Sequence, residues 1–199
     1  MRDWPSIPIR RYRHAVFLDR DGTINVDTHY PHRVEDLCFV PRSLDGLLYL
    51  ALLPVHIIVV SNQAGIAQGR YTRVQMSQFN TELRCKVEQA GGRIDAFYFC
   101  PHLEPKDLPP GTLPCPCSKP APGMLLEAAK DFELNLARSF TIGDKISDIA
   151  AGESVSCVTV LINASKAEKE EGKLSIQPKH FAGNLLEAAL IVKSYLVRS

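Results

Sequence analysis

Two aspartates one residue apart, Asp19 and Asp21, end the apolar run Ala15-Val16-Phe17-Leu18, and Gly22 and Thr23 follow them. A buried run does not close on paired carboxylates unless something cationic faces them. One acid of such a pair can attack an electrophile while the other manages protons, and both can help hold a hard divalent metal. Three further polar positions stand beside apolar runs. Ser61 follows Ile57-Ile58-Val59-Val60, Lys119 precedes the helix-like stretch after Pro120, and Asp144 follows Phe140-Thr141-Ile142 in the segment Gly143-Asp144-Lys145-Ile146-Ser147-Asp148. Phosphoryl transfer to a carboxylate needs a nucleophile, a metal to neutralise phosphate charge, donors to the equatorial oxygens and an acid for the leaving group. These residue types supply that set.

A second constellation is soft. Cys100-Pro101-His102 and Cys115-Pro116-Cys117 are two ligand pairs separated by twelve residues. They frame a segment, Cys100 to Lys119, with six prolines and almost no hydrophobic period. A Cys3His set suits tetrahedral zinc, and coordination would replace the apolar core this segment lacks. With all four positions filled by protein, the zinc would be structural. Cys38, Cys85 and Cys157 read as buried thiols outside this set.

Elements must bring these residues together. Short apolar runs at Ala15–Leu18, Val55–Val60, Ala96–Phe99, Phe140–Ile142 and Val158–Ile162 read as strands covered on both faces. Helical patterns lie between them. Ser43 is placed to cap Leu44–Leu52, and Thr72 with Gln75 makes a capping-box pattern ahead of Phe79, Leu83, Val87 and Ala90. Pro122 suits the first turn of a helix carrying Met124, Leu125, Ala128, Ala129 and Phe132, and Leu185–Leu196 reads as a last helix. Alternating strands and helices predict a doubly wound α/β domain with a mainly parallel sheet. Ligands bind such sheets at the carboxyl edge, where all the polar positions above would converge.

Composition narrows the rest. The chain has 199 residues, 45% hydrophobic and 23% charged, enough for one domain with a full core. A net charge of +1 exerts no pull toward nucleic acid. The expected organisation is a basic, solvated extension at 1–13, with Arg2, Arg10, Arg11 and Arg13, followed by one domain at 14–199. No stretch reads as a signal peptide or reaches transmembrane length, so a cytoplasmic protein, without membrane or nucleic-acid partners and monomeric, is expected.

The Asp19–Thr23 segment, Ser61, Lys119 and Asp144 resemble, in order, the four motifs of the haloacid dehalogenase (HAD) phosphatases. The two ligand pairs just before Lys119-Pro120 are similar to those of that superfamily's zinc-containing, capless branch. The resemblance implies roles. Asp19 would be the nucleophile that becomes an aspartyl-phosphate, and Asp21 the general acid and base. Mg2+ would be held by Asp19, the main-chain carbonyl of Asp21, and Asp144. Ser61 and Lys119 would bind the phosphoryl group, and Asp148 would orient this edge by hydrogen bonding. Asp27, Thr28, His29, Tyr30, Asn62, Gln63, Ala64, Ser118 and Lys145 would contact substrate. Branch members act on heptose bisphosphates or on histidinol phosphate. The twelve-residue gap favours the heptose group, which implies removal of the C1 phosphate of D-glycero-D-manno-heptose 1,7-bisphosphate. Ser118 stands where the branch commonly has arginine, and His29 where it often has glycine. Two other readings stay open, a phosphatase for another small ester and a non-catalytic binding protein on the same fold.

Overall fold

The computed structural model describes residues 2–3, 12–163 and 176–197. Strands β1 (Arg2–Asp3), β2 (Ala15–Leu18), β3 (His56–Asn62), β4 (Ala96–Cys100), β5 (Phe140–Gly143), β6 (Val158–Ile162) and β7 (His180–Ala182) form one sheet in the order β1-β4-β3-β2-β5-β6-β7. All neighbours pair parallel except β1, which runs antiparallel on the β4 edge. The helices are α1 (Ser43–Ala51), α2 (Arg73–Gln89), α3 (Gly123–Phe132), α4 (Ile146–Glu153) and α5 (Leu185–Val197).

Successive strand residues point to opposite faces, and both faces are covered. Val16 and Leu18, with Ile57, Val59, Ile142 and Val160, pack on Leu47 and Leu50 of α1, Leu83 and Val87 of α2, and Leu185 and Val192 of α5. Ala15 and Phe17, with Ile58, Val60 and Tyr98, pack on Met124, Leu125, Ala128 and Phe132 of α3. The doubly wound fold is therefore as expected.

Local details differ in places. The capping box at Thr72 is present, with Gln75 N donating to Thr72 Oγ1 (3.2 Å) and Thr72 N to Gln75 Oε1 (2.8 Å). Ser43 does not cap α1. Its hydroxyl donates to Ile24 O at 2.7 Å, and Arg42, at φ 66°, holds the N-cap position. Pro122 sits one position before α3, at its N-cap. The expected free extension is also corrected in part: Arg2 and Asp3 pair with Tyr98 and Phe97, while Arg10 and Arg11 lie outside the described residues. Among the described residues no helix is long and apolar enough to cross a membrane.

Candidate active site and metal centre

Strands β3, β2 and β5 are neighbours, so their carboxyl ends place Ser61, Asp19 and Asp144 side by side. Lys119 reaches in from the turn before α3. Its Nζ donates to Asp19 Oδ1 (2.9 Å), Asp148 Oδ1 (2.5 Å) and Val60 O (2.8 Å). Asp19, Asp144 and Asp148 are buried at 4%, 0% and 1% exposure, and one carboxylate oxygen from each lies within 4.8 Å of the others. Close backbone approach makes this possible. Gly22 sits at φ 92°, and a Cβ there would overlap the Asp144 carboxylate, as one on Gly143 would overlap that of Asp148.

The charges act on one another. Burial pushes the Asp19 carboxyl up, but Lys119 and Lys145 outweigh it and hold the group below its ordinary value. Burial, reinforced by Asp19 and Asp144 against the pull of Lys119, pushes Asp148 up to about 7. Burial lowers Lys119 and Lys145, yet the surrounding aspartates raise both overall. Three buried acids facing two lysines are a hard-oxygen donor set with negative charge to spare, which fits Mg2+. The side-chain group is Asp19, Asp144 and Asp148. The Asp21 side chain stands outside it.

Asp21 is instead surrounded by donors. Arg20 contacts both of its oxygens at 2.9 Å, Asn25 Nδ2 donates at 2.9 Å and Gln63 Nε2 at 3.1 Å. Arg20, at 1% exposure, also bonds Asn80 Oδ1, Pro31 O and Gln63 Oε1 and lies 4.6 Å over the Phe79 ring. Sequence reasoning missed Arg20, Asn80 and Tyr71. A charged residue between two catalytic acids reads as solvated unless its burial is known.

The expected substrate contacts divide. Asn62, Lys119 and Lys145 line a cleft of about 430 Å³, together with Glu104, Pro105, Lys106, Pro120 and Ser147, which the motifs did not indicate. Thr28 and His29 are exposed beside half-buried Asp27 and Tyr30. His29 (φ 61°) and Tyr30 (φ 67°) occupy the left-handed region, which explains why glycine suits position 29. His29 N donates to Asp27 Oδ1 (3.0 Å), and Lys145 Nζ is 3.4 Å from Asp27 Oδ2. Three positions turn inward. Gln63 and Ser118 are each 1% exposed and Ala64 3%, and none of the three lines the cleft. Asn62 has a scaffold role besides, its side chain bonding both Lys119 N (3.0 Å) and Lys119 O (3.1 Å).

Cys100, His102, Cys115 and Cys117 do converge. Cys117 Sγ lies 2.9 Å from Cys100 Sγ, 3.0 Å from Cys115 Sγ and 3.4 Å from His102 Nδ1. Burial pushes the Cys100 and Cys117 thiols up, so without a cation they would be weakly bonded neutral groups. Three soft sulfurs and an imidazole nitrogen at this spacing form a metal-binding group whose donors suit zinc. Cys157 is buried as expected. Cys38 and Cys85 are exposed, contrary to expectation, because the apolar neighbours of Cys38 lie in a loop and Cys85 falls on the outer side of α2.

Comparison with known proteins adds the lineage. The HAD-hydrolase-like family model matches residues 116–188. The D-glycero-beta-D-manno-heptose-1,7-bisphosphate 7-phosphatase of Pasteurella multocida (strain Pm70) is 36% identical over 160 residues, 80% of this chain and 86% of that protein. The enzyme of the same name from Escherichia coli (strain K12) is 35% identical over 153 residues, 76% of this chain and 80% of that protein. The D,D-heptose 1,7-bisphosphate phosphatase from B. bronchiseptica, solved with magnesium and phosphate, superposes with a TM-score of 0.78 at 26% identity, covering 94% of this chain and 99% of its own. The relatives are named for the 7-phosphate, where the resemblance implied C1. The motifs recognise a phosphoryl group and carry no mark of the carbon that bears it. The ordered acids, the Cys3His group and these similarities together place the chain in the HAD-type phosphatase family of the heptose-1,7-bisphosphate phosphatases.

Proposed function

We propose that this protein is a Mg2+-dependent phosphoric monoester hydrolase that removes the 7-phosphate of D-glycero-D-manno-heptose 1,7-bisphosphate through an aspartyl-phosphate. The observation that carries the reading is Asp19, buried yet held ionised, beside Lys119 and within 4.8 Å of two further carboxylates. Bound Mg2+ would be held by Asp19 and Asp144, with Asp148 beside them, and would neutralise phosphoryl charge. Asp19 attacks phosphorus, and the P–O bond to the C7 oxygen breaks. Asp21 takes up a proton as the phosphate ester binds and gives it to the departing alkoxide. Asp21 then takes a proton from water, whose oxygen attacks the aspartyl-phosphate and frees Asp19 and inorganic phosphate. Ser61 and Lys119 donate to the phosphoryl oxygens throughout. Lys145 and Lys106, which both line the cleft, offer charge to the phosphate that remains.

Zinc in the Cys3His group would hold the Cys100–Cys117 segment and so the cleft wall at Glu104–Lys106. In the cell this reading places a monomeric enzyme in the cytoplasm, working on a soluble sugar phosphate. The test is phosphate release from the β-anomer of the bisphosphate with Mg2+, the product followed by phosphorus NMR. Heptose 1-phosphate should accumulate. Release of the C1 phosphate, or turnover of histidinol phosphate alone, would sink the proposal.

A further inference from the structure

Gln63 is almost sealed from solvent, yet its amide touches both the phosphoryl-binding and the proton-transferring residue. Nε2 lies 2.7 Å from Ser61 Oγ and 3.1 Å from Asp21 Oδ2, while Oε1 lies 2.6 Å from Tyr71 Oη and 3.2 Å from an Arg20 nitrogen. The amide orientation follows from chemistry. A guanidinium has only donors, so the Gln63 atom facing it is the oxygen, which leaves the nitrogen facing Asp21 and Ser61. Burial pushes the Tyr71 phenol up, so it stays protonated and remains a donor. Its ring is stacked on His32 at 4.9 Å, and Arg20 also bonds Pro31 O, which ties the network to the loop that follows Asp27–Tyr30.

This polarity has a consequence for Ser61. With Gln63 Nε2 donating to Ser61 Oγ, the serine's single proton cannot point at Gln63 and is left for the phosphoryl group. We infer that Gln63, its amide fixed by Tyr71 and Arg20, is a positioning residue that aims the Ser61 proton at the transferring phosphoryl and steadies the Asp21 carboxylate. The inference rests on the phosphatase reading above.

The test compares Gln63→Glu, Gln63→Met, Tyr71→Phe, Ser61→Ala and the Gln63→Glu/Ser61→Ala pair, with p-nitrophenyl phosphate and Mg2+. Glutamate matches glutamine in shape but only accepts, so it would capture the Ser61 proton and repel Asp21. Methionine fills the space and does neither. The expected order of kcat is wild type, then Gln63→Met, then Gln63→Glu. The glutamate variant should be down about 10²–10³-fold, the cost of losing one donor to an oxyanion, with KM changed far less. In the Ser61→Ala background Gln63→Glu should cost at least about ten-fold less than it does alone, since the two act on one contact. Tyr71→Phe, which leaves the ring in place, should lower kcat several-fold. A purely structural Gln63 would favour the isosteric glutamate over methionine, and the cost of Gln63→Glu would be equal in both backgrounds. Either result overturns the inference. Should Gln63→Glu fail to fold, Gln63→Met and Tyr71→Phe decide: both at wild-type kcat overturns it, and a loss in both supports it. If wild type hydrolyses no ester, the phosphatase reading fails separately. The same cycle, read on the dissociation constant of inorganic phosphate, then decides this one.

Discussion

Asp19, Asp21 and Lys119 are near one another yet fail in different ways when changed. Asp19→Asn should bring turnover to background, because an amide is a poor nucleophile. Asp21→Asn should cost ~10²–10⁴-fold in kcat, the usual weight of a general acid and base. Steady-state rates with Mg2+ check both, and near-wild-type activity in the first would refute the aspartyl-phosphate. Lys119 carries a further load, since it neutralises Asp19 and Asp148 at once. Lys119→Met leaves those acids buried without their cation, a change that costs about 3–5 kcal/mol when one partner of a buried pair is removed. Calorimetry should therefore show a lower Tm for metal-free Lys119→Met, and Mg2+ should raise it by more than it raises the wild type. The types of these residues were readable in the chain. Arg20 was not, because nothing in Asp19-Arg20-Asp21 says that the middle side chain folds inward onto Phe79 and Asn80.

Among the elements, the strand ends do most of the positioning, and the residues that start the strands hold them in place. Asp95, just before β4, accepts from Ile57 N at 2.8 Å in β3, and Arg93 Nε lies 3.3 Å from its other oxygen. Burial pushes the Asp95 carboxyl up, but the adjacent His56 ring, the bond from Ile57 N and the charge of Arg93 bring it below its ordinary value. A depressed carboxyl stabilises the fold above its unfolded pKa of about 3.9, and that stability is lost as pH falls through the lower folded value. Asp95→Ala should cost about 1.5–3 kcal/mol near neutral pH, and urea melts at successively lower pH should show the gap to wild type closing in that acid range. The metal loop depends on β4 at one end and leads to Lys119 at the other. Cys100 is the last residue of β4 and pairs in register with Asn62, whose side chain brackets the Lys119 backbone. Purified protein should hold about one zinc per chain. Cys115→Ser should lower Tm, open 103–114 to proteases and reduce kcat through Lys119, all measurable on one preparation. Strand and helix positions were legible wherever apolar runs or a capping box marked them. β7 was not, since His180–Ala182 is short and only half-buried, and neither was the failed cap at Ser43, whose hydroxyl was claimed by Ile24 from across the fold.

At the scale of the whole molecule, the cleft proposed to take the substrate is lined by separate stretches of chain. Asn62, Lys119, Pro120, Lys145 and Ser147 line it together with Glu104, Pro105 and Lys106 from the proline-rich segment. Lys106 is 2.9 Å from Glu104, and its bond to that residue raises it above its ordinary value, so it is charged at any working pH. Lys106→Ala should raise KM for the bisphosphate several-fold while leaving that for p-nitrophenyl phosphate nearly unchanged. Equal effects on both would remove Lys106 from the reading of the second phosphate. The wall was hidden in the sequence, because the proline-rich segment has no period to show which side faces the motifs.

The two glycines beneath the acids set a limit on how this chain can vary. Neither Gly22 nor Gly143 bears a functional group, yet every other residue would put a carbon where a carboxylate of the buried acid cluster already lies. In a library of all single substitutions they would be as intolerant as Asp19 itself. Drift in this lineage is therefore free to retune the cleft walls, as at Glu104 and Lys106, and is blocked at the floor.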